Sequence, residues 1–272
     1  MQCKKVLISG KMFIFPKSNL ILNNHMKIRN PKNRFDLTLK KNYRVLEVGG
    51  GHNPHPRSHV IVDKYADDNT HRSGDIKVLK HQQFMEGDGE NLPFKDKEFD
   101  YVICCHVLEH VGNPAKFLQE QFRVAKRGYI EFPSLLGENI SPKESHRWIM
   151  HEHNDVLYVV NKEKINFPGN YDLVELIQDY LPKHSIGFKI LERTHPNIQT
   201  IRIEWESDFN YVIEPTDPAI LNFFSKKWKM DWADSFFPKR SHAGELIDAM
   251  LAFASIIKSV FISKVLKKKV GR

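Results

Sequence analysis

Cysteine is scarce in this chain. Of 272 residues, only Cys3, Cys104 and Cys105 carry a thiol. Adjacent cysteines do not readily bridge, and no Cys-x-x-Cys pair occurs. A disulfide framework is therefore excluded, and a reducing, cytoplasmic setting is expected. The chain also lacks a run of about eighteen uncharged apolar residues, so no spanning helix is expected. The opening "MQCKKVLISGKMFIF" is basic, then apolar. Lys11 interrupts it and no small-residue cleavage site follows, so it is not read as a secretory signal. There is no internal repeat and no low-complexity segment. Acid is short relative to base: 33 Asp and Glu against 41 Lys and Arg, a net charge of +8. That balance suits an acidic partner (nucleic acid, an anionic membrane surface, a phosphorylated substrate) or only a solvated, lysine-rich exterior. What remains is ordinary globular composition, 41% hydrophobic and 27% charged. It is enough for one large α/β domain with additions, or two small ones.

Residues 1–34 are mixed in character and read as an N-terminal extension. Apolar runs then follow at intervals: "YRVLEV", "VIVD", "FDYVICC" and "GYIEF". The third is apolar nearly throughout, as a strand covered on both faces should be. Between the last two lies a helix, with Asn113 as N-cap and Pro114 in its first turn. Lys126 and Arg127 are placed in its last turn, with Gly128 as the stop. Strands separated by helical patterns indicate βαβ units and a parallel sheet. Farther on, "DLVELIQDYLP" reads as a short helix between Asp172 and Pro182. "IQTIRIEWESDFNYVIEP" alternates in period two around "SD" and predicts an antiparallel hairpin. Asp217 and Pro218 open another helix. Residues 35–214 read as the main domain and 215–272 as a helical extension with a basic tail.

The glycine triplet Gly49, Gly50, Gly51 follows the first core strand. Residues without Cβ let the backbone turn sharply and approach a ligand closely. Asp63 ends the second strand, where a carboxylate can accept from ribose hydroxyls. "GDGENLPF" and "FDYVICCHVLEHV" come next. Together with "RVAKRGYIEFPS", this ordered set resembles the class I S-adenosylmethionine-dependent methyltransferases. It is similar to the branch that methylates small molecules and glycans, over residues 43–134.

The resemblance implies a Rossmann-like fold with a mostly parallel central sheet and an antiparallel hairpin at one side. It implies S-adenosylmethionine as cofactor and a role for each matching position. Glu47 and Gly49 would lie under the methionine amino end, with Gly51 close by. Asp63 would bind the ribose. Asp88 would accept from the adenine amino group, with the Gly89 backbone beside the ring. His106 would line the methionine and methyl side. Glu109 and His110 read as structural or catalytic with equal force.

The sequence departs from that pattern after Gly51. Only "HNPHPRSH" separates it from the second strand, and Pro54 and Pro56 exclude a regular helix interior. The first helix is therefore shortened or replaced by a loop. Asn53 stands where the family has a third glycine, and Asn tolerates a left-handed backbone. His52 and Asn53 are expected to contact the cofactor carboxylate, with Arg57 adding positive charge.

The segment "EFPSLLGENISPKESHRWIMHEHND" follows the last core strand and is placed to cover the site. Histidine supplies a base near neutral pH, so His146 is the first candidate for general base, with His106 and Glu131 as further catalytic candidates. A surface or packing role for His146 stays open. No resident metal is assigned; a set of His146, His151 and His153 rests on spacing alone.

The expected acceptor is a small molecule, sugar or lipid-linked glycan, methylated at oxygen. An RNA-directed methyltransferase or binder is the alternative that the basic charge suggests, although no RNA-binding module is recognisable. A non-catalytic scaffold with this fold is the other. Residues 245–272 form an amphipathic pattern ending in "KVLKKKVGR". It suits either packing on the main domain or another copy, or peripheral contact with an anionic membrane.

Overall fold

The computed structural model describes residues 4–8, 11–15, 26–66, 74–165, 167, 173, 175–225 and 240–270. Strands β1 (Lys4–Ile8) and β2 (Lys11–Phe15) form a small antiparallel pair. The centre of the molecule is built on β4 (Val45–Val48), β5 (Val60–Asp63) and β7 (Phe99–Cys105). These are short runs of mostly β-branched and aromatic residues, the composition of strands buried on both faces. Every residue of β4 is buried. It pairs in parallel with β5 on one side and β7 on the other. Both neighbours follow it in the chain, so the strand order reverses at β4. In open α/β sheets that reversal leaves a crevice beyond the carboxyl ends of the strands.

Four more strands complete this sheet. They are β3 (Met26–Arg29), β6 (Gln83–Glu86), β8 (Ala125–Pro133) and β11 (Thr200–Glu206). The order is β3-β11-β8-β7-β4-β5-β6, parallel except for β11, which runs antiparallel to both β8 and β3. β6 carries no apolar signature in the sequence because it is a largely exposed edge strand with only Phe84 half-buried. β3 moves a boundary. Residues 26–29 form the opposite edge of the main sheet, so the extension expected over 1–34 ends before them.

A second sheet of three strands holds β9 (Trp148–His153), β10 (Val156–Asn161) and β12 (Asn210–Ile213). β9 and β10 are a hairpin, turned by Asn154 and Asp155 at φ 52° and 57°. Two left-handed residues are what a two-residue hairpin turn requires. The hairpin expected over 198–215 does not form. β11 stays in the main sheet, whereas β12 pairs in parallel with β10. Ser207, at φ 69°, swings the chain away after a single bridge between Glu206 and Asp208. Period-two alternation identifies strands but not their partners. Here Ile201, Ile203 and Trp205 join the main core, whereas Val212 joins a separate cluster with Leu135, Ile149 and Phe224.

Helix α1 (Pro114–Val124) begins as the sequence indicates, with the Asn113 side chain accepting from the Lys116 N–H at 3.0 Å. Its end differs. The chain turns extended at Ala125 and runs straight into β8, so Lys126 and Arg127 are strand residues paired with Asp100 and Glu206. Gly128 stops no helix. It leaves room for Trp205, whose Cζ2 would lie 2.3 Å from a Cβ placed there.

Helix α2 (Leu135–Ile140) follows β8, capped by Ser134. In the stretch read as one helix, Asp172 lies outside the described residues. Glu175–Tyr180 is a π-helical segment, and Pro182 opens rather than ends α3 (Leu181–His184). Then come α4 (Ile186–Thr194) and α5 (Pro218–Ser225), with Asp217 capping the latter. Helix α6 (His242–Val270) is 29 residues long. No helix is long and apolar enough to cross a membrane among the described residues.

Candidate functional site

A cleft of about 330 Å³ opens where the strand reversal requires one, past the ends of β4, β5 and β7. Gly49 and Gly51 form its floor, both left-handed at φ 73° and 51°. A Cβ on Gly49 would lie 2.2 Å from Val107 Cγ2, so the backbone fits here only without one. Gly89 is equally tight, with the Phe117 ring 2.5 Å from where its Cβ would be. Asp63, at the end of β5, accepts from the Gly51 and Tyr65 N–H groups at 3.3 and 3.2 Å. Asp88 accepts from the Glu90 N–H and pairs with Lys64 at 2.8 Å. Burial alone would push its carboxyl up. The hydrogen bonds and the Lys64 charge more than offset that and hold it below the ordinary carboxylate range.

Gly49, Gly51, Asp63, Asp88, Gly89 and His106 thus come from separate stretches of sequence and meet in one cleft. Tyr65, Glu90, His110, Phe117 and Arg147 also line it. Of these, His110 had a readable signal. His106, Glu109 and His110 stand at i, i+3 and i+4, a helical spacing, but residues 108–110 form a turn and His106 is left-handed at φ 55°, so the short helix expected of "VLEHV" does not form.

Four expected residues lie elsewhere. Glu47 is fully buried beneath the glycine turn. It accepts from Arg34 at 3.1 Å, from the His55 N–H at 2.7 Å and from the Ser58 hydroxyl at 2.7 Å. Its carboxylate holds the loop together. Burial pushes its pKa up, with Ser58, Arg34 and His55 opposing. Residues 49–59 contain turns and no helix. Without helical N–H groups to organise this connection, Glu47 supplies the anchor. Asn53 is exposed and is not left-handed; Gly49 and Gly51 alone make the turn. His52 also lies outside the cleft wall. Arg57 donates away from it, to the carbonyls of Lys40 and Lys41.

The catalytic candidates converge next door. A side pocket of about 130 Å³ shares His106 and His110 with the cleft and reaches Glu109, Ser141, Lys143 and His146. His146 is buried and donates from Nδ1 to Glu138 at 2.6 Å. Its ring stands edge-on to that of His110, 4.9 Å between centroids. His106 lies between two carboxylates, Glu109 at 3.2 Å and Glu131 at 3.7 Å. Burial disfavours its charge, but the two carboxylates outweigh burial and raise its pKa. Glu131 is buried behind it, bonded by the Tyr129 hydroxyl and beside Arg202 at 3.4 Å. His151 and His153 do not join His146. They stack along β9 against Phe223.

A mostly parallel sheet reversing at β4, a glycine turn after its first core strand and an acid ending the next define a Rossmann-like cofactor-binding domain. Residues 61–130 match the family model described as a methyltransferase domain. Over that stretch, about a quarter of the chain, the protein resembles that methyltransferase domain family. An uncharacterized protein of Methanocaldococcus jannaschii is 44% identical over 112 residues, 39% of this chain and 46% of that one. A demethylmenaquinone methyltransferase of Paenarthrobacter aurescens is 35% identical over 98 residues, 34% of this chain and 38% of that one. Among solved structures, the PH0226 protein of Pyrococcus horikoshii is 18% identical, with a TM-score of 0.31. That likeness covers 62% of this chain and 84% of the other. The chain matches less than half the length of these two curated relatives.

Proposed function

We propose that this protein is an S-adenosylmethionine-dependent methyltransferase that methylates a hydroxyl of a small molecule, sugar or lipid-linked glycan. The observation that carries this reading is the meeting of the glycine turn, Asp63, Asp88, Gly89 and His106 in one cleft. When bound, the cofactor supplies a methyl group already activated on a sulfonium. The chain's task is then to bind, orient and exclude water. In this reading Asp63 accepts from the ribose hydroxyls, and Asp88 from the adenine amino group. Gly49 and Gly89 let the backbone approach, because a side chain there would collide with Val107 or Phe117, and Gly51 supplies a left-handed turn at φ 51°. His106 lines both the cleft and the side pocket.

That pocket is the seat proposed for the acceptor. Glu138 fixes the His146 ring with its Nδ1–H turned away, so Nε2 carries the lone pair. The Glu109 and Glu131 carboxylates favour a proton on His106, which makes it the weaker candidate for base. Glu131 positions His106 and, being enclosed by Tyr129, Arg202 and His106, takes no proton from the acceptor.

A second element of the reading concerns α6. Ala252 and Ile256 are buried, whereas Leu246, Met250, Leu251, Phe253, Ile257 and Phe261 are exposed. Followed by "KVLKKKV" in sequence, this apolar surface suits peripheral contact with an anionic membrane.

Calorimetry with S-adenosylmethionine and its demethylated product tests the cofactor assignment. Wild type should bind both, and Asp63→Ala should weaken both by at least about tenfold, the loss of one or two ribose hydrogen bonds. Binding unchanged by the substitution sinks the assignment. Failure of wild type to bind either compound would leave a scaffold.

A further inference from the structure

We propose that Glu109, His110 and His146 form a site for a divalent transition-metal cation, Zn²⁺ by its donor set, in the pocket beside the cleft. One donor atom from each of the three lies within 4.8 Å of the others. Protein nitrogen and oxygen ligands sit about 2 Å from zinc, so closure around an ion needs side-chain shifts of about an ångström.

The hydrogen bonds around the trio prepare it for this. His110 Nδ1 lies 3.0 Å from the Ser145 carbonyl, which can only accept. The proton is therefore on Nδ1, and Nε2 carries the lone pair. His146 is held the same way by Glu138, a carboxylate kept as an acceptor by Lys162 at 2.8 Å. Metal-ligating histidines are typically oriented in this manner, with one ring N–H given to a carboxylate or a backbone carbonyl.

Glu109 supplies the independent observation. It is 1% exposed. Its Oε1 faces His106, whereas its Oε2 is buried with no hydrogen-bond partner. A buried carboxylate oxygen without a partner is costly. The Ser141 hydroxyl, in the same pocket, is also buried without a partner. A cation at Oε2, with a bound water or ligand oxygen near Ser141, would satisfy both.

Two imidazoles and one carboxylate favour zinc over magnesium, which prefers oxygen donors and near-ideal octahedral geometry. Three protein ligands leave a coordination position open. Because the pocket shares His106 and His110 with the cleft, that position adjoins it. A hydroxyl-bearing acceptor would be held there through oxygen, its proton affinity lowered by the ion. This role rests on the methyltransferase reading; the cation site itself does not.

The test uses the 272-residue protein, stripped with a chelator. It is titrated with Zn²⁺ alone by calorimetry and, separately, with Co²⁺ followed by visible absorption. Wild type should take up one Zn²⁺ per chain and give a Co²⁺ ligand-field band of low coordination number. Glu109→Gln and His146→Ala should each weaken uptake at least about tenfold and abolish the band. His153→Ala, outside the trio, should match wild type. If a buried substitution fails to fold, the wild-type Co²⁺ spectrum and His110→Gln decide. Absence of stoichiometric Zn²⁺ uptake by wild type, or uptake that survives the substitutions, overturns the proposal. S-adenosylmethionine is titrated into the same samples. Zn²⁺ uptake without cofactor binding would overturn the methyltransferase reading and leave the cation site standing.

Discussion

The Ser58 hydroxyl donates to the buried Glu47 carboxylate at 2.7 Å, across the loop that joins the first two core strands. The His55 N–H donates to the same oxygen, and Arg34 to the other. One acid thus anchors a helix-free connection from below. Glu47→Gln should lower unfolding stability by roughly 3 kcal/mol, the usual cost of breaking a buried ion pair on one side. Ser58→Ala should cost about 1 kcal/mol, one hydrogen bond. Urea unfolding of both variants checks the ranking. Equal, near-zero effects would mean that the loop does not depend on this anchor.

Gly128 tests packing away from the cleft. An added Cβ would meet Trp205 at 2.3 Å and Val102 at 2.8 Å, both in the core. Gly128→Ala should destabilise by about 1–3 kcal/mol through overpacking. Cofactor affinity, measured well below the melting point, should stay near wild type. Gly49→Ala should instead damage binding, because Val107 and the left-handed φ both oppose it at the cleft floor. Calorimetry beside thermal melts separates the two.

His55 gives the protein a pH dependence. It is 3% exposed. Burial, then the charges of Arg34 and Arg57, depress its pKa to about 4 from an ordinary 6.5. Its Nδ1 accepts the Arg57 N–H, which requires a bare nitrogen. Between these two values the unfolded chain binds a proton that the folded one does not. Stability is therefore intact above about pH 6.5 and falls as pH drops toward 4. At pH 5 the loss attributable to His55 is about 2 kcal/mol relative to pH 7.5. His55→Phe should carry a constant offset and lack this slope. Parallel slopes for the two proteins in urea titrations would assign the acid sensitivity to other groups.

The open face of α6 makes a prediction about location. Flotation with anionic vesicles should recover the protein, and deletion of residues 245–272 should abolish recovery. Neutral vesicles or high salt should weaken it. If the 272-residue chain and the shortened chain both stay at the bottom of the gradient, the exposed apolar residues serve another contact.

The sequence by itself determined much. The core strands declare themselves because they are buried on both faces, so nearly every residue in "VLEV", "VIVD" and "FDYVICC" must be apolar. The turn after β4, the acid ending β5 and Asp88 of "GDGE" are legible because backbone approach and exposed carboxylates each require particular residue types. Long-range pairing was not legible. Alternation in β11 and β12 records which side faces a core, not which core, and one left-handed Ser207 sends the strands to different sheets. β3 likewise joins the main sheet from a segment with little apolar pattern. The same holds for the polar centre. Glu47 looked like a cofactor contact until three partners, 8 to 13 residues away in sequence, closed around it. His146, 37 residues beyond Glu109 in the chain, meets it and His110 only because the chain turns back past β8. Local chemistry can be read along the chain; which groups share a buried volume is decided by packing.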